Sequence, residues 1–129
     1  QNYDQAISLY TKAIELNPNS ETYYANRSFA YLKTECFGYA LTDASRAIEL
    51  NKNYVKGYYR RAAAYMSLSK FKQALKDLET VTRARPNDKD AKVKYTECKK
   101  IVTKLAFEKA ISIEDSQKNI ADTIDLDAM

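Results

Sequence analysis

The chain writes nearly the same eight residues twice, KAIELNPN ending at Asn19 and RAIELNKN ending at Asn53, 34 positions apart. A fixed period of that size means one supersecondary unit stacked on copies of itself, because so short a unit cannot bury its apolar face alone. Sliding the chain by 34 superposes Tyr3, Phe37 and Phe71, then Ala6, Ala40 and Ala74, then Ile7, Leu41 and Leu75. Tyr10, Ala44 and Leu78 follow, and then Ala13, Ala47 and Val81. In the other half of the period Tyr24 meets Tyr58, Arg27 meets Arg61, Ala30 meets Ala64 and Tyr31 meets Tyr65.

Within each period the spacing is helical. Phe37, Ala40, Leu41, Ala44 and Ala47 step by three, one, three and three, and Tyr24, Arg27, Ser28 and Tyr31 do the same over a shorter run. Only two Gly and two Pro leave little material for strand corners, and the class is all-α. Asn17-Pro18-Asn19-Ser20 and Arg85-Pro86-Asn87-Asp88 stop one helix and cap the next. The pattern predicts helices at 3–16, 20–33, 37–50, 54–67, 71–84 and 88–111, arranged as antiparallel pairs in a superhelix. Repeat two is then 21–54 and repeat three 55–88, while 1–20 is the second helix of a repeat whose first helix lies before Gln1. On that reading the chain is a fragment, and Tyr3, Ile7 and Tyr10 expose apolar surface unless something covers them. Residues 88–112 form a capping helix with a core stripe at Ala91, Tyr95, Cys98, Val102 and Leu105. Ile101, Phe107 and Ile111 lie off that stripe and either help cover the core or dock another domain. Residues 113–129 read as an acidic tail or linker, with a short helix around Ile120 and Ile124 as the alternative.

Charge is unevenly distributed. Residues 114–129 carry −4 and residues 1–113 carry +8, so the body suits an acidic partner. No apolar run is long enough to span a bilayer, so no stable membrane insertion is expected. Cys36 and Cys98 lie far apart in a chain without His, so no metal site is expected; two thiols of this kind fit the reducing cytoplasm or nucleus. With no His, no Gly-rich phosphate loop and no nucleophile–base pair, no residue is assigned a catalytic role.

Binding has better support. Lys56 and Arg60 are four apart on one helix face, and the equivalent face one repeat earlier carries Asn26, Phe29 and Lys33. Stacking aligns these faces along the inner surface of the superhelix. Two cations, an amide and a further Lys suit two closely spaced carboxylates, as at the C-terminal Asp of a peptide, with Phe29 and Tyr59 available to an upstream aliphatic side chain. A single Lys or Arg on a helix face is ordinarily just solvated, and it is the convergence that argues for a site. RNA binding is the competing use of a basic helical repeat. It is disfavoured because equivalent face positions differ, Asn26 against Arg60 and Thr22 against Lys56. No nucleic-acid partner is therefore expected. A scaffold that binds folded partners on the outer face is the third reading.

The ladder of aromatic, Ala and Pro positions resembles the tetratricopeptide repeat, a 34-residue helix–turn–helix unit. The face carrying Asn26, Lys56 and Arg60 is similar to that family's dicarboxylate clamp, which grips the Glu-Glu-Val-Asp ends of heat shock proteins 90 and 70. The resemblance implies that Asn26 is the clamp's second Asn and Lys56 and Arg60 its last pair, the first Lys and Asn lying on the helix before Gln1. The segments NRSFAYLKTECFGYALTDASRAIEL, YVKGYYRRAAAYMSL, NDKDAKVKYTECKKIV and AFEKAI look like the amino-terminal regulatory domain of a family of serine/threonine protein phosphatases. That likeness runs from Gln1 to Met129. It implies a domain that folds over its own catalytic domain, with Glu35 in the inhibitory contact, and that chaperone or fatty-acid binding releases. The metal ions would belong to the catalytic domain alone, with no cofactor in this chain. A co-chaperone module unconnected to a phosphatase is the alternative.

Overall fold

A computed structural model describes residues 2–128, with side chains described from Asn2 to Ile120. Among the described residues there are six helices and no strand: α1 (Tyr3–Leu16), α2 (Glu21–Lys33), α3 (Phe37–Leu50), α4 (Val55–Ser67), α5 (Phe71–Ala84) and α6 (Lys89–Ala128). Each packs on the next, and α2 also touches α4, so the first helices of successive repeats lie side by side. No helix is long and apolar enough to cross a membrane among the described residues.

Local chemistry sets the helix ends. Asn2, Ser20 and Asp88 sit just outside their helices and accept from the amides of Gln5, Tyr23 and Ala91. The duplicated octapeptide has a duplicated outcome: Asn17 and Asn51 each end a helix, and their side-chain oxygens accept from Asn19 and Asn53 N–H, turning the chain alike. Within repeats two and three the turn is a Schellman motif. The amide of Cys36 donates to Tyr31 O and that of Glu35 to Leu32 O; Lys70 and Ser69 repeat the pattern on Tyr65 and Met66. Glu35 and Ser69, 34 apart, therefore both hold left-handed backbone, φ 61° and 59°.

Small residues bring the helices close. Ala25, Ala40, Ala44, Ala47, Ala64, Ala74 and Ala91 are fully buried. A Cβ on Gly57 of α4 would stand 3.1 Å from Ile48 of α3. Larger side chains fill the last unit, where Leu78 and Cys98 pack with Tyr65, Phe71, Tyr95 and Val102. The Cys98 thiol lies 3.3 Å from Phe71 O, and burial raises its pKa.

A polar pair pins each complete repeat. Arg27 donates from Nε and Nη2 to Asp43 at 2.7 and 2.8 Å, and from Nη1 to Thr11 of α1. Arg61 makes the same two-pronged contact with Asp77, both bonds at 2.8 Å. Tyr24 and Tyr31 flank the first guanidinium, and Tyr58 and Tyr65 the second. The carboxylates are buried, and the bond to each raises its arginine's pKa. The 34-residue match of Arg27 with Arg61 is thus an internal clasp.

The structure corrects three expectations at the chain's two ends. The final helix does not stop near residue 111 but continues to Ala128, through the segment read as a tail or linker. Neither Gly nor Pro interrupts residues 89–128, and Lys104 pairs with Glu108 one turn on. Leu105, placed on the core stripe, is 47% exposed, and Phe107 and Ile111 are exposed rather than covering the core, because α6 overshoots α5. In α1 no residue is fully buried, but Tyr3, Ile7 and Tyr10 are half-buried. The bare apolar surface there is Leu9 and Leu16 instead.

Candidate functional site

The inner face is built by α2, α4 and α6. Three contacts fix their register. Lys56 Nζ donates to Asn26 Oδ1 at 2.8 Å, the Arg60 guanidinium lies 4.3 Å from the centroid of the Phe29 ring, and Lys94 Nζ lies 4.8 Å from that of Tyr59. With its oxygen held by Lys56, Asn26 keeps its NH₂ as a donor. Asn26, Lys56 and Arg60 thus all present N–H groups on one surface.

The electrostatics separate these cations from the clasps. Among the described residues neither Lys56 nor Arg60 has a carboxylate partner. Burial pushes the Lys56 pKa down, and Arg60 and Arg85 push it further. Burial also lowers Arg60, against a smaller pull from Tyr59 and Tyr54. Arg60 Nε is buried with no hydrogen-bond acceptor. The face therefore holds partly desolvated positive charge with spare donors, an arrangement completed by an anion.

The remaining sequence-derived residues fall around this centre. Phe29 is a platform: it holds Arg60, has Lys33 Nζ 5.3 Å from its centroid, and meets Tyr3 edge-on. Lys33 is exposed and reaches the group only through that ring. Tyr59 carries Lys94 over its ring, has Arg60 at its edge of reach, and lines a cavity between α4, α5 and α6. Glu35 stands apart, exposed on left-handed backbone at the turn between α2 and α3. Among the described residues no three Cys, Asp or Glu gather to hold a metal ion.

Sequence reasoning missed Lys94 and Arg85. Lys94 lies 34 residues after Arg60 and was visible in the repeat phase. Arg85, past the end of α5, lowers the Lys56 pKa by charge repulsion that only the tertiary fold brings about, and no local pattern marks it.

A family model for the PPP5 TPR repeat region matches residues 95–129, and one for the tetratricopeptide repeat matches residues 1–20 and 55–88. Serine/threonine-protein phosphatase 5 of Homo sapiens is 57% identical over 129 residues, 100% of this chain and 26% of that protein. The chain thus spans about a quarter of the length of the curated relatives it matches. The first TPR of Spaghetti (RPAP3) bound to the HSP90 peptide SRMEEVD superposes with a TM-score of 0.76 at 35% identity, covering 78% of this chain and 82% of that one. The second TPR domain of human RPAP3 in complex with the HSP70 peptide SGPTIEEVD has a TM-score of 0.71 at 35% identity, covering 75% and 81%.

Proposed function

This chain belongs to the tetratricopeptide-repeat family, and from that premise we propose that it is the peptide-binding, regulatory domain of a serine/threonine phosphatase. Its ligand is the acidic C-terminal tail of heat shock protein 90, with that of heat shock protein 70 as a second partner. Lys56, Arg60 and the NH₂ of Asn26 hold the carboxylates of the last Asp, and Lys33 lies further along for an upstream Glu. Two observations on relatives support this. The peptides bound to the similar domains both end in Glu-Glu-Val-Asp, and they carry Met or Ile immediately before that ending.

The observation that carries the reading is the charge left open on the inner face. Arg27 and Arg61, the other half-buried arginines of this body, are each closed by an aspartate, whereas Lys56 and Arg60 share one surface with none. A fold that leaves two cations partly desolvated and like-charged gains by receiving an anion. Calorimetric titration with SRMEEVD, free and C-terminally amidated, tests it. We expect binding that needs the free carboxylate and falls by about 1.5 kcal/mol or more in Arg60→Ala. Equal affinity for the amidated peptide, or an unchanged affinity in the variant, would overturn it.

The regulatory half of the proposal rests on Glu35. Its exposed carboxylate sits on the α2–α3 turn, where it can meet the channel of the phosphatase's own catalytic domain. Chaperone tail or fatty acid then competes with that contact. Two free thiols suit the same cytoplasmic and nuclear setting. Full-length enzyme carrying Glu35→Ala should show raised basal activity; unchanged basal activity would remove Glu35 from the inhibitory contact.

A further inference from the structure

We infer that the free end of α6 pairs this chain with a second copy of itself, the two helices running antiparallel and each laying its acidic end against the basic start of the other's α5; this is independent of the clamp. From Thr103 to Ile120 every side chain is exposed. The helix nevertheless continues unbroken to Ala128. Helices in proteins hold mainly by packing an apolar face, and a run this long without cover presents one ready to be packed.

That face continues the stripe that is already buried. Tyr95 and Val102 pack against the core of the last unit. Ile113 and Ile120 stand eighteen residues after them, which at 3.6 residues per turn is five whole turns. Both therefore leave the helix on the side that faces α5, but past the point where α5 begins, and they are 50% and 61% exposed. A cleft of about 310 Å³ closes the inner end of this shelf, where Leu105, Ala106 and Phe71 line it with Lys70, Lys72 and Lys109. Among the described residues none of these three lysines has a carboxylate partner.

The surface is complementary to itself. Its stripe suits the same stripe on a second copy, and its lysines suit the acid that the sequence places further along the same helix. Set antiparallel so that Ile113 of each copy lies on Ile120 of the other, residues 122–128 of one run along residues 105–111 of its partner. That segment holds three Asp and neither Lys nor Arg, and it reaches Lys109 and the cleft beside Lys70 and Lys72. The contact is made twice, as a two-fold pair requires. A parallel pair would set acid on acid instead. The two repeat bodies stand at opposite ends of the pair and do not collide. The helices overlap over residues 105–128, roughly 36 Å. Such a seam buries on the order of 1,000 Å² in total, the low end for a specific pair, so the dimer is weak, with a Kd of roughly tens of micromolar or more.

Sedimentation equilibrium of the chain from about 5 to 500 μM tests it, a range that brackets so small an interface. The average mass should rise from one chain toward two. Ile113→Asp with Ile120→Asp should stay monomeric throughout, with the helical circular dichroism of the repeats retained. Lys70→Glu with Lys72→Glu should weaken the pair about tenfold, and raising salt to about 1 M should weaken the parent in the same direction. Both double variants should bind SRMEEVD as the parent does, because the clamp lies on another face, so the pairing and the clamp fail separately. A monomer at every concentration would overturn the pairing and return the shelf to the docking of another domain. A dimer indifferent to the two isoleucines would overturn the stripe, and one indifferent to both salt and the lysine charges would overturn the antiparallel arrangement. The lysine variant and the salt series on unmodified protein decide the matter even if the isoleucine variant does not fold.

Discussion

Arg60 and Arg61 are neighbours in sequence and have identical side chains, and they should respond to the same substitution with opposite signs. In the ligand-free protein Arg60 Nε is buried without an acceptor, which costs about 1–3 kcal/mol. Its guanidinium over Phe29 at 4.3 Å returns about 0.5–2 kcal/mol. Arg60→Met keeps most of the apolar stem and removes the charge, so we expect the free domain to gain about 1 kcal/mol, or roughly 3–6 °C in Tm. Arg61→Met strands Asp77, whose side chain is 5% exposed, and breaking such a pair costs about 3–5 kcal/mol. Arg61 is itself 24% exposed, and solvent screening brings the expected loss nearer about 2–3 kcal/mol. Melts followed by circular dichroism with and without SRMEEVD read both effects. At a hundredfold excess over Kd, the peptide should stabilise the unmodified domain and Arg61→Met by about 2.7 kcal/mol, and Arg60→Met hardly at all. An Arg60→Met domain that is less stable than the parent and still stabilised by peptide would refute the reasoning, because Arg60 would then be structural.

Lys56 makes binding pH-dependent. Its pKa is lowered by burial and by Arg60 and Arg85, and a bound carboxylate raises it again. Binding therefore takes up protons above the free-state pKa, and affinity should fall as pH rises through that lowered value; a flat profile up to the ordinary lysine range would exclude Lys56 from the contact. Glu35→Gly should raise stability by up to about 1 kcal/mol, because Gly adopts φ near +60° without strain, and Ser69→Gly should do the same without removing a carboxylate. A thermal melt in which either variant loses stability would contradict the strain argument. Amide exchange should be fastest in α1 among the first five helices, since none of its residues is fully buried; protection in α1 equal to that of α3 would count against this.

Much of the fold was open to reading in one dimension. The 34-residue phase located five helices to within a residue, because the side chains that repeat are those that pack, and periodic packing needs no knowledge of distant contacts. Asn17 and Asn51 marked two helix ends, since their turn is closed by the side chain two residues before its partner amide. The same phase put Asn26, Lys56 and Arg60 on one face. The far end of α6 was only partly legible: acidic composition left a tail or linker and a short helix both open, whereas an uninterrupted run without Gly or Pro continues a helix already nucleated on α5.

What the sequence by itself determined was the unit, its repetition and the faces it presents. Only the tertiary structure decided what each charge does there. It gave Lys56 the oxygen of Asn26, set Arg60 on Phe29, and let the charge of Arg85 act on Lys56. The reason is physical. Helical periodicity follows from the backbone's own repeat, while the state of a buried charge depends on which side chains meet it through space. Arg61 finds an aspartate sixteen residues on, and Arg60, one position earlier, turns a different way and finds none.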